Sequence, residues 1–160
     1  MIFVTLGNQN FQFKRLLDKV ESLIRNGEIK EEVVAQIGHT EFQSKFIRTI
    51  DFMSKEEFDK HIGSSTFIIS HAGTGSIISC LLKNKRVMVA ARLKVFDEHI
   101  DNHQLEITNV FQKKNLIIAL NKELSDLPLK IKNINSFNLD KFRSNNNNFN
   151  ENLFHIIEKL

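Results

Sequence analysis

The stretch FIISHAGTGSIISCLL, Phe67 to Leu82, runs an apolar strand pattern, a glycine pair and an apolar helix pattern together without a break. It reads as a strand that ends in a tight turn from which a helix departs. Two of the chain's six glycines, Gly73 and Gly75, fall in this turn, where backbone must bend sharply or let another group come close. Thr74 and Ser76 add hydroxyls to the first N–H groups of the helix. Such N–H groups, at the positive end of the helix dipole, suit a diphosphate without needing a lysine. An ordinary βα turn capped by Thr74 or Ser76 would use the same residues, and this stretch alone leaves both readings open.

The pattern repeats outward in both directions. Strand-like runs stand at Ile2–Leu6, Val33–Ile37, Phe46–Ile50, Phe67–Ser70, Val87–Ala90 and Leu116–Ala119, with helix periodicity at Phe11–Arg25, Lys55–Ile62, Gly75–Lys83 and about Ile100–Lys113. In the first helix Phe13, Leu16, Leu17, Val20, Leu23 and Ile24 share one face. Alternation of this kind predicts a Rossmann-like α/β fold, a parallel sheet with helices on both faces. Three strands run into glycine, at Gly7, Gly38 and Gly73. In open parallel sheets ligands bind beyond the carboxyl ends of the strands, so these turns gather on the edge where a ligand would sit. After Asn121 the pattern fades, with the only proline at Pro128, until an amphipathic segment at Phe149–Leu160 follows the run NNNN.

A chain of 160 residues is long enough for one core and short for two, so a single domain over residues 1–160 is expected, with a C-terminal helix at about 149–160. Hydrophobic content of 41% and charged content of 26% are those of a globular protein. No apolar run reaches the roughly 20 residues of a membrane span. The opening MIFVTL carries no basic lead, so no signal peptide is expected and the cytoplasm is the expected compartment. The single cysteine, Cys80, sits in an apolar run and reads as a core residue. A net charge of +3 from scattered basic residues is weak evidence for nucleic acid and fits mild attraction to anionic lipid head groups equally well, so no nucleic-acid partner is expected. Fourteen Phe with no Trp or Tyr exceed what a core of this size needs, which points to a partner surface.

Standard motifs are excluded by position. GTGSII has Ile78 where the dinucleotide fingerprint needs its last glycine, and no Gly-Lys-Ser/Thr completes a P-loop. Gly-x-Ser-x-Gly is missing, and Ser70 and His71, adjacent on a strand, would point to opposite faces. His99 and His103 lack a third partner, so no metal site is expected. A second polar group does stand out: FDEHIDNHQLEI, Phe96–Ile107, places Asn102, His103 and Gln104 with several acids at a helix start. On the same sheet edge these side chains could hold sugar hydroxyls. The plainer reading is a solvated helix start with acids at its positive end.

Three blocks in order, FVTLGNQNFQF, ISHAGTGSI and DNHQLE, resemble the donor-binding, carboxy-terminal half of GT-B glycosyltransferases, family 28, over about Met1 to Ala119. The nearest likeness is to the small catalytic subunits of two-component enzymes that build dolichol-linked oligosaccharide or bacterial exopolysaccharide and capsule. The resemblance implies a UDP-sugar as donor substrate, with no separate cofactor. It places Gly7 and Asn8 beside the diphosphate, Phe52 and Met53 where backbone reads the uracil edge, and His71, Gly73, Thr74, Gly75 and Ser76 in the diphosphate turn. Asn102, His103 and Gln104 fall where donor-sugar hydroxyls are held. Several relatives have a glutamate for the ribose where this chain has Ser79.

The resemblance also implies that the acceptor half is a separate, membrane-anchored partner, which would hold this chain at the inner face of the cell membrane and bring it a lipid-linked saccharide acceptor. His71 is the candidate general base within this chain. The expected activity is inverting sugar transfer to a lipid-diphosphate-linked sugar, β-1,4-galactosyl transfer in exopolysaccharide or capsule synthesis first and N-acetylglucosaminyl transfer second. From another class, the chain would be a nucleotide-sugar-binding subunit that regulates a partner without catalysis.

Overall fold

Four strand segments of this chain bury every residue they contain, which is what a strand covered on both faces requires. The computed structural model describes residues 1–143 and 155–159. Six strands, β1 (Ile2–Thr5), β2 (Val33–Gln36), β3 (Arg48–Ile50), β4 (Ile68–His71), β5 (Val87–Ala90) and β6 (Ile118–Ala119), form one sheet in the order β3-β2-β1-β4-β5-β6. All five pairings are parallel, with Val4 beside Ala35 on one side and Ile69 on the other.

Because side chains alternate along a strand, the core divides by face. On one side Ile2 and Val4 meet Leu16, Leu17, Val20 and Leu23 of helix α1 (Lys14–Arg25) and, through the same cluster, Leu127 of a short later helix. On the other, Phe3 and Ile68 meet Ile62 of α2 (Lys55–Ser64), Ile77 and Cys80 of α3 (Thr74–Leu82) and Phe111 of α4 (His103–Lys113). Burial pushes the Cys80 thiol up to about 12, in keeping with a core residue. The chain thus covers one face between β1 and β2 and the opposite face once it returns from edge strand β3 to β4. That reversal opens the carboxyl edge between β1 and β4, the place where sheets of this kind take ligands.

The sequence reading differs from the structure mainly at element ends. Strand β3 starts at Arg48 rather than Phe46, because Ser44 Oγ accepts from the N–H groups of Phe46 and Ile47 at 2.9 and 3.0 Å and holds them in a turn. Helix α1 starts at Lys14 rather than Phe11; the Phe13 N–H donates to Thr40 Oγ1 at 3.1 Å instead. Helix α4 starts at His103 rather than Ile100, since the preceding residues form a 3₁₀ turn, Lys94–Phe96, followed by Asp97 at φ +55°. An unforeseen helix, α5 (Leu127–Lys132), follows Asp126 and begins with Pro128 in its first turn, a position where proline's fixed φ is helical and its missing N–H costs nothing.

The amphipathic segment at 149–160 lies largely outside the described residues, and Phe149, Leu153 and Leu160 with it. Residues 155–158 are helical, and Ile157, like Phe142, packs against the α2–α3–α4 side of the core. Phe46, Phe52 and Phe96 are exposed, whereas Phe3, Phe13, Phe67 and Phe111 are buried. No helix among the described residues is long and apolar enough to cross a membrane.

Candidate functional site

The turn after β4 is organised around His71. Its Nδ1–H donates to the Thr5 carbonyl at 3.3 Å; a carbonyl only accepts, so the neutral ring keeps its lone pair on Nε2. A Cβ on Gly7 or on Gly73 would lie 2.4 or 2.2 Å from that Nε2. Both positions must therefore be glycine for the ring to lie between them, and Gly7 also needs φ +72°. Burial, with the nearby Arg92 guanidinium second, pushes the His71 pKa down to about 4. At neutral pH the imidazole is uncharged and a weak proton acceptor. Ser70, as its neighbour on the strand, turns away and its hydroxyl donates to the His71 carbonyl at 2.8 Å.

A crevice of about 410 Å³ opens between β1 and β4, lined by Gly7, Asn8, Met53, Gly75 and Ser76, together with Gln36, Lys55, Phe58 and Ser79. Buried Gln36 sets its rim. Its Oε1 accepts from Thr5 Oγ1 at 2.7 Å, and its Nε2 donates to the Gly7 carbonyl, Asn8 Oδ1 and the Asp51 carbonyl, each at 3.2 Å. One amide thereby ties together the loops that follow β1 and β3. A Cβ on Gly75 would meet nothing within 4 Å, so protein packing does not demand glycine there. In a helix glycine costs about 0.5–1 kcal/mol relative to alanine, which leaves room for a ligand as its reason. Ser79 Oγ donates back to the Gly75 carbonyl at 2.8 Å. Phe52 is exposed beside the crevice's Met53 and meets the His39 ring edge-on at 5.0 Å. A cleft of about 490 Å³ lined by Leu23, Glu28, Ile29, Pro128, Leu129 and Lys132 is larger, but α1, the turn after it and α5 form it rather than strand ends.

The polar block around residues 96–107 divides in two. Asn102 and His103 stay at the surface: Asn102 Oδ1 accepts from the Lys94 N–H at 3.1 Å, and His103 Nδ1 stands 3.6 Å from Glu106. Gln104 is buried, and its Oε1 accepts from the backbone N–H groups of Ala72 and Arg92 at 3.2 and 3.1 Å. With that oxygen taken, Gln104 can offer a ligand only its amide N–H groups, not the donor and acceptor that the residue type suggests. Glu98, also buried, receives Arg15 Nε and Nη2 at 2.7 and 2.9 Å and the Leu93 N–H at 3.1 Å. Arg92, without exposed surface, donates to the carbonyls of Leu6 and Phe11 at 2.7 and 2.8 Å while its Nε has no partner among the described residues.

The structure thus gathers Gly7, Asn8, Met53, Gly75 and Ser76 on one crevice, with His71, Gly73 and Thr74 forming its turn and Gln104 fixed behind Ala72. Sequence reasoning missed Gln36, Lys55, Phe58 and Arg92. The only signals were a glutamine ending the apolar run VVAQ and an arginine straight after VMVAA. Among the described residues no group of His, Cys, Asp and Glu could hold a metal ion.

Comparison with known proteins agrees with this architecture. A UDP-N-acetylglucosamine transferase subunit ALG13 from Candida albicans is 44% identical over 77 residues, 48% of this chain and 25% of that protein. The Homo sapiens protein of the same name is 26% identical over 147 residues, 84% of this chain and 12% of its own length. The chain therefore spans a quarter or less of these two relatives. An NMR solution structure of ALG13 superposes with a TM-score of 0.62 at 22% identity, covering 98% of this chain and 96% of that one. The glycosyltransferase SnogD from Streptomyces nogalater does so at 0.54 and 16%, covering 84% of this chain and 37% of SnogD. These two likenesses show the fold, that of GT-B glycosyltransferases. The family model described as glycosyltransferase family 28 C-terminal domain matches residues 1–160, and the chain belongs to that family.

Proposed function

We propose that this chain is the donor-binding subunit of an inverting, UDP-sugar-dependent glycosyltransferase that moves N-acetylglucosamine onto a lipid-diphosphate-linked sugar. The observation that carries the reading is the crevice at the β1/β4 reversal, where Gly75 faces open space beside the first turn of α3. The diphosphate lies along Gly7, Asn8 and the turn of residues 71–76, the uracil at the backbone of Phe52 and Met53, and the sugar toward Asn102, His103 and Gln104. Two relatives carry N-acetylglucosamine in their names, which favours that sugar over galactose; no finding speaks for galactose, exopolysaccharide or capsule.

In the displacement, an acceptor hydroxyl oxygen attacks the anomeric carbon while the bond to the diphosphate breaks. UDP departs with the bonding electrons, and the acceptor proton passes to a base. His71, enclosed by Gly7 and Gly73 and weakly basic, shapes the turn, and the base comes from the partner. That partner supplies the acceptor half and the membrane anchor, and holds this chain at the inner face of the membrane. The test is transfer from radiolabelled UDP-N-acetylglucosamine to a lipid-linked acceptor by the chain alone and by the chain co-expressed with its neighbouring reading frame. Transfer only by the pair is expected. Full activity of the purified chain would overturn the half-enzyme reading, and UDP binding without transfer by the pair would favour a regulatory subunit.

A further inference from the structure

Among the described residues the crevice lining includes one charged side chain, and it sits where helix dipoles oppose it. Lys55 is the first residue of α2, directly after the capping serine Ser54. A cation there opposes the positive end of its own helix dipole, and it shares the crevice with Gly75 and Ser76 from the first turn of α3, whose dipole repels it as well.

Two neighbouring acids are committed elsewhere, and Asp59, one turn on, forms no ion pair with Lys55 among the described residues. Glu56 pairs with Lys60 at 3.0 Å. Glu57 closes a capping box, accepting from Ser54 N–H and Oγ at 2.8 and 2.9 Å. The Lys55 side chain has no hydrogen bond or ion pair among the described residues, and the crevice lining includes no carboxylate. Of the other polar side chains, Asn8 accepts from Gln36 through its Oδ1 and has amide N–H groups to donate, whereas Ser79 spends its proton on the Gly75 carbonyl.

We infer that Lys55 is the counter-charge of this crevice, the residue that reads the diphosphate of the donor nucleotide and sets its preference for a diphosphate over a less charged nucleoside. The inference rests on the proposed function for the identity of the nucleotide, but not for the anion. A lysine does this as a point charge on a flexible stem, adaptable to the changing charge of a departing diphosphate. Arginine would keep the charge, whereas glutamine would keep only length and hydrogen bonding.

Calorimetry on the wild-type chain, Lys55→Gln and Lys55→Arg, with UDP, uridine and inorganic diphosphate as probes, tests this. Lys55→Gln should bind UDP and diphosphate about tenfold more weakly, the loss of one charge-assisted hydrogen bond. Uridine affinity should be unchanged, and Lys55→Arg should restore most of the loss. Equal losses for uridine and UDP, an unaltered UDP affinity in Lys55→Gln, or wild-type protein that binds neither anion would overturn the assignment. Lys55-dependent binding of diphosphate without any binding of UDP would keep Lys55 as the anion reader and defeat the nucleotide reading instead. Lys55 is exposed on the first turn of its helix, and both variants should fold.

Discussion

Between β1 and β4 the carboxyl edge of the sheet stays open, whereas one strand farther along, beneath the loop from β5 to α4, it is filled by charged side chains. The open part leaves the Lys55 side chain without a partner among the described residues, beside a glycine whose Cβ position faces open space. The filled part spends Arg92, Glu98, Arg15 and the Gln104 carbonyl on backbone groups and on one another. Both stretches look alike as sequence, polar residues opening a helix. The difference teaches that one half of the edge is built to be completed by a ligand, and the other to hold the first half in shape.

The largest effect should come from breaking the filled half. Arg92→Ala strands the carbonyls of Leu6 and Phe11 and empties a fully buried site, which should lower unfolding stability in urea by about 3–5 kcal/mol. A loss below about 1 kcal/mol would mean that the buried guanidinium is not what joins the two halves.

Acid should act next, through His71. Its folded pKa, about 4, lies below the unfolded value near 6.5, so between those values the unfolded chain binds more protons. Stability therefore falls as pH drops from about 6.5 toward 4, by about 2 kcal/mol at pH 5. Urea midpoints of wild type and His71→Asn across this range check it, since the variant should lack that part of the slope. Parallel slopes in the two proteins would contradict a buried neutral imidazole.

The smallest effect on stability, and the most specific on binding, is expected in the open half. Gly75→Val puts a branched side chain into space that no protein atom occupies, so stability should change by less than about 1 kcal/mol. UDP affinity measured by calorimetry should fall about tenfold or more if the diphosphate passes there. An intact affinity in the folded variant would move the diphosphate away from α3.

The legible parts of this molecule are those written in local pattern. Continuous apolar runs ending in glycine marked β1, β2 and β4 and the edge they share. The run HAGTGS marked the turn, because glycine and hydroxyl residues at a strand-to-helix junction have few other uses. Element ends were less readable, since they depend on distant partners: Thr40 decides where α1 begins and Ser44 where β3 begins. In the site the roles of single polar residues were hidden for the same reason. Nothing near Gln104 in the chain reveals that its oxygen is taken by Ala72 and Arg92, and nothing near Gln36 reveals that it joins the loops after β1 and β3. Pairings across the sheet are properties of topology, and they separate a binding amide from a bracing one.

The burial of Cys80 also has a practical side. It is the chain's only cysteine, and with its pKa pushed up to about 12 the reactive thiolate makes up only about one part in ten thousand at pH 8. Alkylating reagents will pass it by while the fold is intact. A Ser76→Cys substitution on the crevice would then be the single reactive handle, so a fluorophore could be attached beside the proposed diphosphate path without first removing Cys80.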